Sequence, residues 1–181
     1  GRIGRLSFRE LLKKNEVEVV AINDLTDIDT LAHLLRYDSV HGKLAYTVKV
    51  ESDSLIVDGT TVKVFSNPKP ETLPWADLKV DVVIECTGRF LTQESASQHI
   101  TAGAGKVILS APAKDDVKTI VLGVNEKTLT KDDLIVSNAS CTTNCLAPMI
   151  KVLDESFGIK KGYISTVHAY TADQNLQDSP H

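Results

Sequence analysis

Val80-Asp81-Val82-Val83-Ile84-Glu85-Cys86 is a short apolar run, followed after a turn by Thr92 to Ala102 and then by Lys106-Val107-Ile108-Leu109-Ser110. The outer two read as buried strands. The middle segment reads as a helix, with Thr92 as its N-cap and Glu94 as a first-turn acid. Strand, helix and strand in that order predict a crossover unit whose two strands lie parallel. Short apolar runs at Thr119 to Leu122 and Leu134 to Val136 extend the alternation. The predicted class is α/β, built on a doubly wound parallel sheet.

Working outward toward the N-terminus, Gly4 to Asn15 reads as a helix, Glu18 to Ile22 as a strand ending at Asn23-Asp24, and Asp29 to Tyr37 as a second helix. From Leu44 to Phe65 the residues alternate, and Asp58-Gly59 is a hairpin signal, so an antiparallel insertion is expected there. Toward the C-terminus, Leu146, Met149, Ile150, Leu153 and Phe157 fall at helical spacing, with Gly158 as a stop. Pro148 conflicts with a regular helix unless it sits in the first turns. Gly162 to Tyr170 is predicted to be the next strand. Both ends read as cut, since Gly1-Arg2-Ile3-Gly4 is a turn into a helix that should follow a strand, and Asp178-Ser179-Pro180-His181 closes nothing. The expectation is a partial sequence whose first strand is missing.

The 181 residues are 42% hydrophobic and 24% charged, the balance of an ordinary globular protein. A net charge of -4 gives no basic surface for nucleic acid, and no apolar run is long enough for a membrane span. Three cysteines do not make a disulfide framework and fit a reducing, cytoplasmic setting. No His or Cys pair sits at a recognised metal-ligand spacing except Cys141 and Cys145, so no metal is expected.

Two motifs carry chemistry. Ser140-Cys141-Thr142-Thr143-Asn144-Cys145 places a thiol at a helix start, where first-turn N–H groups and the helix dipole favour thiolate. His168, in Thr166-Val167-His168-Ala169-Tyr170-Thr171, would complete a nucleophile and base pair. Gly1-Arg2-Ile3-Gly4 matches the end of a dinucleotide-binding glycine loop, and Asp24 lies about 20 residues further on, where an acid should meet the ribose hydroxyls. A carboxylate there would repel a 2′-phosphate, favouring NAD over NADP. The turns Cys86-Thr87-Gly88-Arg89-Phe90 and Ser110-Ala111-Pro112 follow predicted strands, at the edge where such sheets bind ligands. The sheet is thus expected to be Rossmann-like. Cys86 and Cys145 read as structural, as do His33, His41, His99 and His181.

Gly1-Arg2-Ile3-Gly4-Arg5, Ile22-Asn23-Asp24, Ser110-Ala111-Pro112, the block from Ser137 to Pro148, and His168-Ala169-Tyr170-Thr171 together resemble phosphorylating, NAD-dependent glyceraldehyde-3-phosphate dehydrogenases of bacterial type. The likeness runs the whole chain in order. It implies an NAD-binding domain over residues 1–139 and, over residues 140–181, the beginning of an α+β catalytic domain. By that resemblance Cys141 is the nucleophile and His168 its base, while Ser140, Thr142 and Thr171 hold substrate or inorganic phosphate. Arg2, Ile3, Gly4, Asp24 and Ser110 meet NAD, and Thr87, Gly88 and Phe90 line the same cleft. The family often has Arg-Asp-Pro where this chain has Pro68-Lys69-Pro70, so an arginine beside the adenine is lost, although the Pro68 carbonyl can still accept from its amine. A homotetramer is also implied, and the family's phosphate-binding arginine and nicotinamide-binding asparagine are expected beyond His181.

The implied reaction oxidises glyceraldehyde 3-phosphate to 1,3-bisphosphoglycerate through a thiohemiacetal and a thioester on Cys141. The backbone N–H of Cys141 and the side chain of Asn144 are candidate oxyanion donors. The alternatives are erythrose-4-phosphate dehydrogenase, which shares the thiol chemistry, and a non-catalytic nucleotide- or RNA-binding module.

Overall fold

The computed structural model describes residues 1–171 and Gln174. The central crossover forms as its sequence dictates. Strand β7 (Val82–Glu85) leads to helix α3 (Gln93–Thr101) and back to strand β8 (Lys106–Leu109), which lies parallel to β7 with Val83 opposite Val107. Thr92 caps α3, accepting from the Ser95 N–H at 3.1 Å, while the Ser95 hydroxyl accepts the Thr92 N–H, also at 3.1 Å. A reciprocal capping box thus satisfies two first-turn donors. The helix ends at Gly103, whose φ of +102° and contact with the Ala76 backbone leave no room for a side chain. Strand β10 (Ile135–Ser137) adds parallel to β8, and β9 (Lys118–Thr119) parallel to β10, giving the order β7-β8-β10-β9. The expected strand at Thr119 to Leu122 is thus shorter and starts a residue earlier.

A second four-stranded sheet takes the order β1-β6-β5-β4. Helix α1 (Arg2–Leu11) precedes β1 (Ala21–Asn23), and α2 (Ile28–Arg36) follows it with Asp27 as N-cap. A short hairpin, β2 (Tyr37–Asp38) and β3 (Gly42–Lys43), then leads to β4 (Val48–Glu51), β5 (Ser54–Val57) and β6 (Thr60–Phe65). Asp58 and Gly59 have φ of 46° and 85° at the β5–β6 turn, as their hairpin signal requires. The stretch is not wholly an insertion, however. β4 and β5 are antiparallel, whereas β6 pairs parallel with β1 and belongs to the main architecture. Alternation reports which face is buried and says nothing about the direction of the neighbouring strand.

Phe8, Leu35, Val48, Leu55, Val57 and Val62 make the core of this first unit, and Val107, Leu109, Val117 and Ile135 that of the second. A third cluster, around Leu73, Trp75, Ala102 and Ala104, takes in Ala21 and Phe65 from the first sheet and Val83 from the other. Gly4 of α1 adds to that joint: a Cβ built on it would stand 3.3 Å from the Cys86 Cβ.

Helix α4 (Cys141–Phe157) runs through Pro148, well past its first turns, and stops at Gly158 with φ of 69°. The expected strand from Gly162 to Tyr170 does not form; these residues are exposed and irregular. A strand needs a neighbour to take its N–H and C=O groups, and none of the described strands lies beside it. The reading from Asp178 to His181 falls outside the described residues. Among the described residues no helix is long and apolar enough to cross a membrane.

The capping box yields a direct test of this architecture. Thr92→Ala should lower stability by about 1 kcal/mol in denaturant titration, and Thr92→Ser should recover most of it.

Candidate functional site

Strand β10 ends at Ser137, whose buried hydroxyl donates to the Ala111 carbonyl at 2.9 Å and accepts the Ala139 N–H at 3.1 Å. Ala139 has φ of +60°, a left-handed conformation that costs a residue with a Cβ about 1–2 kcal/mol. This sharp turn carries the chain from the carboxyl end of the parallel sheet straight into α4. Ser140 is the N-cap, its hydroxyl accepting the Thr143 N–H at 3.0 Å, and Cys141 is the first helical residue.

The Cys141 sulfur is exposed and lies 3.3 Å from the Nε2 of His168. The other ring nitrogen, Nδ1, is hydrogen-bonded to the Ala169 carbonyl, which can only accept. Nδ1 therefore carries a proton, and Nε2 is the atom free to exchange one with the sulfur. The bond to His168 holds the Cys141 thiol below its ordinary range, and Thr142 lowers it further. His168 is raised, by the Ala169 carbonyl first and by Cys141 second. Both shifts favour a thiolate beside an imidazolium. Thr171 donates its N–H to the Gln174 Oε1 at 2.8 Å. Asn144 is not a free oxyanion donor: its Nδ2 donates to the Asn138 and Ser140 carbonyls at 2.7 and 2.9 Å, which uses both amide hydrogens.

The nucleotide motif is also brought together. The nitrogen of Gly1 lies 3.3 Å from the Asp24 Oδ2, so the glycine turn and the acid at the end of β1 share one spot. Burial pushes the Asp24 carboxyl up, but hydrogen bonds from Thr26 together with the Gly1 amine beside it outweigh it and hold the group ionised. α1 has no acid in its first turn. Ile3, 54% exposed, stands in that first turn. The N-terminus of α1 suits a pyrophosphate, and a carboxylate suits ribose hydroxyls, so these residues fit a dinucleotide. The Arg2 guanidinium is turned away to Asp38, at 3.0 Å.

Beyond the ends of β1 and β6 an open cleft of about 380 Å³ is lined by residues including Leu25, Thr26, Phe65 and Ser66. The loop carrying Pro68 is fixed to this end by Asn23, whose amide donates to the Asn67 carbonyl and accepts the Asn67 N–H, both at 2.9 Å. Thr87, Gly88 and Phe90 follow β7, and Ser110 follows β8, its N–H donating to the Glu85 carbonyl at 3.0 Å. Burial pushes the Cys86 thiol up, and the Ser110 hydroxyl opposes it. Among the described residues no group of three or more possible metal ligands occurs.

The chain matches the family model for the glyceraldehyde 3-phosphate dehydrogenase NAD binding domain over residues 1–93, and that for the C-terminal domain of the same family over residues 140–181. It belongs to the glyceraldehyde 3-phosphate dehydrogenase family. It is 56% identical over its whole length to the glyceraldehyde-3-phosphate dehydrogenases of Mycoplasma pneumoniae and Geobacillus stearothermophilus, and 54% identical to that of Clostridium acetobutylicum. The match covers 54% of each relative, so the chain spans about half the length of the curated relatives it matches.

Sequence reasoning missed the partners that hold these parts in place. Asn23 sat in a quoted motif, but its two-way grip on Asn67 is a tertiary contact. Asp38, which takes both Arg2 and Arg5, carried no motif at all.

The thiol–imidazole contact predicts a pH profile. Alkylation of Cys141 by iodoacetamide should reach its plateau below the ordinary thiol pKa of about 8.5. In His168→Ala the Cys141 pKa should rise, so that its alkylation at neutral pH falls toward the rate of an unactivated thiol.

Proposed function

We propose that the intact protein is a glycolytic, phosphorylating glyceraldehyde-3-phosphate dehydrogenase that uses NAD and inorganic phosphate. The observation that carries this is the 3.3 Å approach of the Cys141 sulfur to His168 Nε2, at a helix N-terminus, in a chain of this family. Residues 1–139 would form the NAD-binding domain and residues 140–181 the start of the catalytic one. Arg2, Ile3, Gly4, Asp24, Pro68, Thr87, Gly88, Phe90 and Ser110 would meet the cofactor. Arg2 would do so through its backbone, because its guanidinium is engaged by Asp38.

In this reading Cys141 thiolate adds to the aldehyde carbon, and the His168 imidazolium gives its Nε2 proton to the resulting oxyanion, forming a thiohemiacetal. His168 Nε2 takes the hydroxyl proton, with Nδ1–H anchored on Ala169 so that the ring stays oriented. NAD, when bound, supplies the two-electron acceptor. With Asn144 committed to the backbone, the Cys141 N–H is the remaining oxyanion donor of the two proposed. Inorganic phosphate then attacks the resulting thioester carbonyl, the C–S bond breaks, and Cys141 leaves as thiolate, a role its depressed pKa suits. Thr142 and Thr171 would bind phosphate groups. Ser140 would contribute its backbone, since its hydroxyl caps α4. A cytoplasmic homotetramer is proposed from the family resemblance.

Cys141→Ser in the intact protein should reduce aldehyde oxidation about a thousandfold or more while leaving NAD binding in place. Turnover that survives the substitution would remove Cys141 as the nucleophile.

A further inference from the structure

Glu85 is the last residue of β7 and is 4% exposed, a costly place for a carboxylate. Two donors converge on it from different elements. Its Oε1 accepts the N–H of Thr87 at 2.5 Å, and its Oε2 faces the Nε2 of His99, on α3, at 3.1 Å. The far side of that imidazole is fixed as well, because the indole N–H of Trp75 lies 3.0 Å from His99 Nδ1. An indole only donates, so Nδ1 must accept, and Nε2 carries the proton given to Glu85. Burial pushes the Glu85 carboxyl up, but the bonds from His99 and Thr87 outweigh it and hold the group ionised.

The relay ends at a single turn. Thr87 opens the loop after β7, its hydroxyl accepts the Arg89 N–H at 3.1 Å, and Gly88 stands at φ of 72°. Phe90 closes the loop with its ring edge-on to His99, at 6.2 Å between centroids. Both ends of the turn are thereby fastened to the buried triad, Thr87 through the carboxylate and Phe90 through the imidazole. We propose that Glu85, oriented by His99 and Trp75, is the positioning residue that sets the Thr87–Phe90 turn for dinucleotide binding. This rests on the proposed assignment of that turn to the NAD cleft.

The chemistry requires this side chain. Only an acceptor-only group with two oxygens satisfies two N–H donors arriving from different directions. In Glu85→Gln the amide NH₂ would face either the Thr87 N–H or the His99 N–H, and Trp75 bars His99 from switching tautomer. His99→Gln, by contrast, can accept from the indole with its oxygen and donate to Glu85 with its nitrogen. His99→Leu can do neither.

The test uses the intact protein and two readouts, NAD affinity by calorimetric titration and the alkylation rate of Cys141 without cofactor. Glu85→Gln should weaken NAD binding about tenfold or more, the scale of a lost buried charged hydrogen bond, with the alkylation rate unchanged. His99→Leu should match that loss, and His99→Gln should keep affinity near that of the unaltered protein; this pair decides the matter should Glu85→Gln fail to fold. A folded Glu85→Gln protein with undiminished NAD affinity overturns the inference, as does a loss of affinity accompanied by equal slowing of Cys141 alkylation, which would mean general loosening. An unaltered protein that does not bind NAD would overturn the functional reading itself.

Discussion

Parallel pairing of β7, β8 and β10 is the constraint on which the rest of the molecule depends. Because the three strands run the same way, each ends at the same edge of the sheet, and each is followed by a turn that bears candidate chemistry. Thr87 to Phe90 leave β7, Ser110 leaves β8, and Cys141 stands four residues past the end of β10. Antiparallel pairing of the same sequences would send neighbouring turns to opposite edges. The buried side chains of Val107, Leu109 and Ile135 hold the strands in place, so the apolar packing of the core positions polar groups that do not otherwise touch.

Polar side chains then fix the turns that this pairing brings together. Asn23 grips the Asn67 backbone, Ser137 ties the approach to α4, and Glu85 takes the N–H of Thr87, two residues past the end of β7. In each case a short side chain at a strand end satisfies a backbone donor that leaves the ladder, which would otherwise be orphaned at the sheet edge. The strain at Ala139 belongs with this group. Its left-handed backbone is tolerated because the Ser137 hydroxyl takes its own N–H and the next residue, Ser140, caps α4, and the result is a thiol at the mouth of a helix.

Local signals were legible and long-range ones were not. Thr92 capped its helix and Asp58-Gly59 turned its hairpin as their residue types require, since both depend on atoms a few positions away. The Cys141–His168 contact was readable only because the motif announced both partners. The trio of Trp75, His99 and Glu85 had no such announcement, and its members meet across separations of 14 and 24 residues with no spacing that marks them. His99 read as a structural histidine, and that reading did not reveal its partners. The direction of β6 and the failure of residues 162–170 to form a strand share one cause. Both depend on which strand lies alongside, and neither apolar alternation nor β propensity specifies that neighbour.

Pro148 has a mechanical consequence. Having no N–H, it cannot bond the carbonyl of Asn144, so the ladder of α4 lacks the rung between these two residues. The leading turn, anchored at its own end by the Ser140 and Asn144 side chains, is coupled less stiffly to the long trailing section. Tilting of that trailing section therefore reaches the sulfur in weakened form.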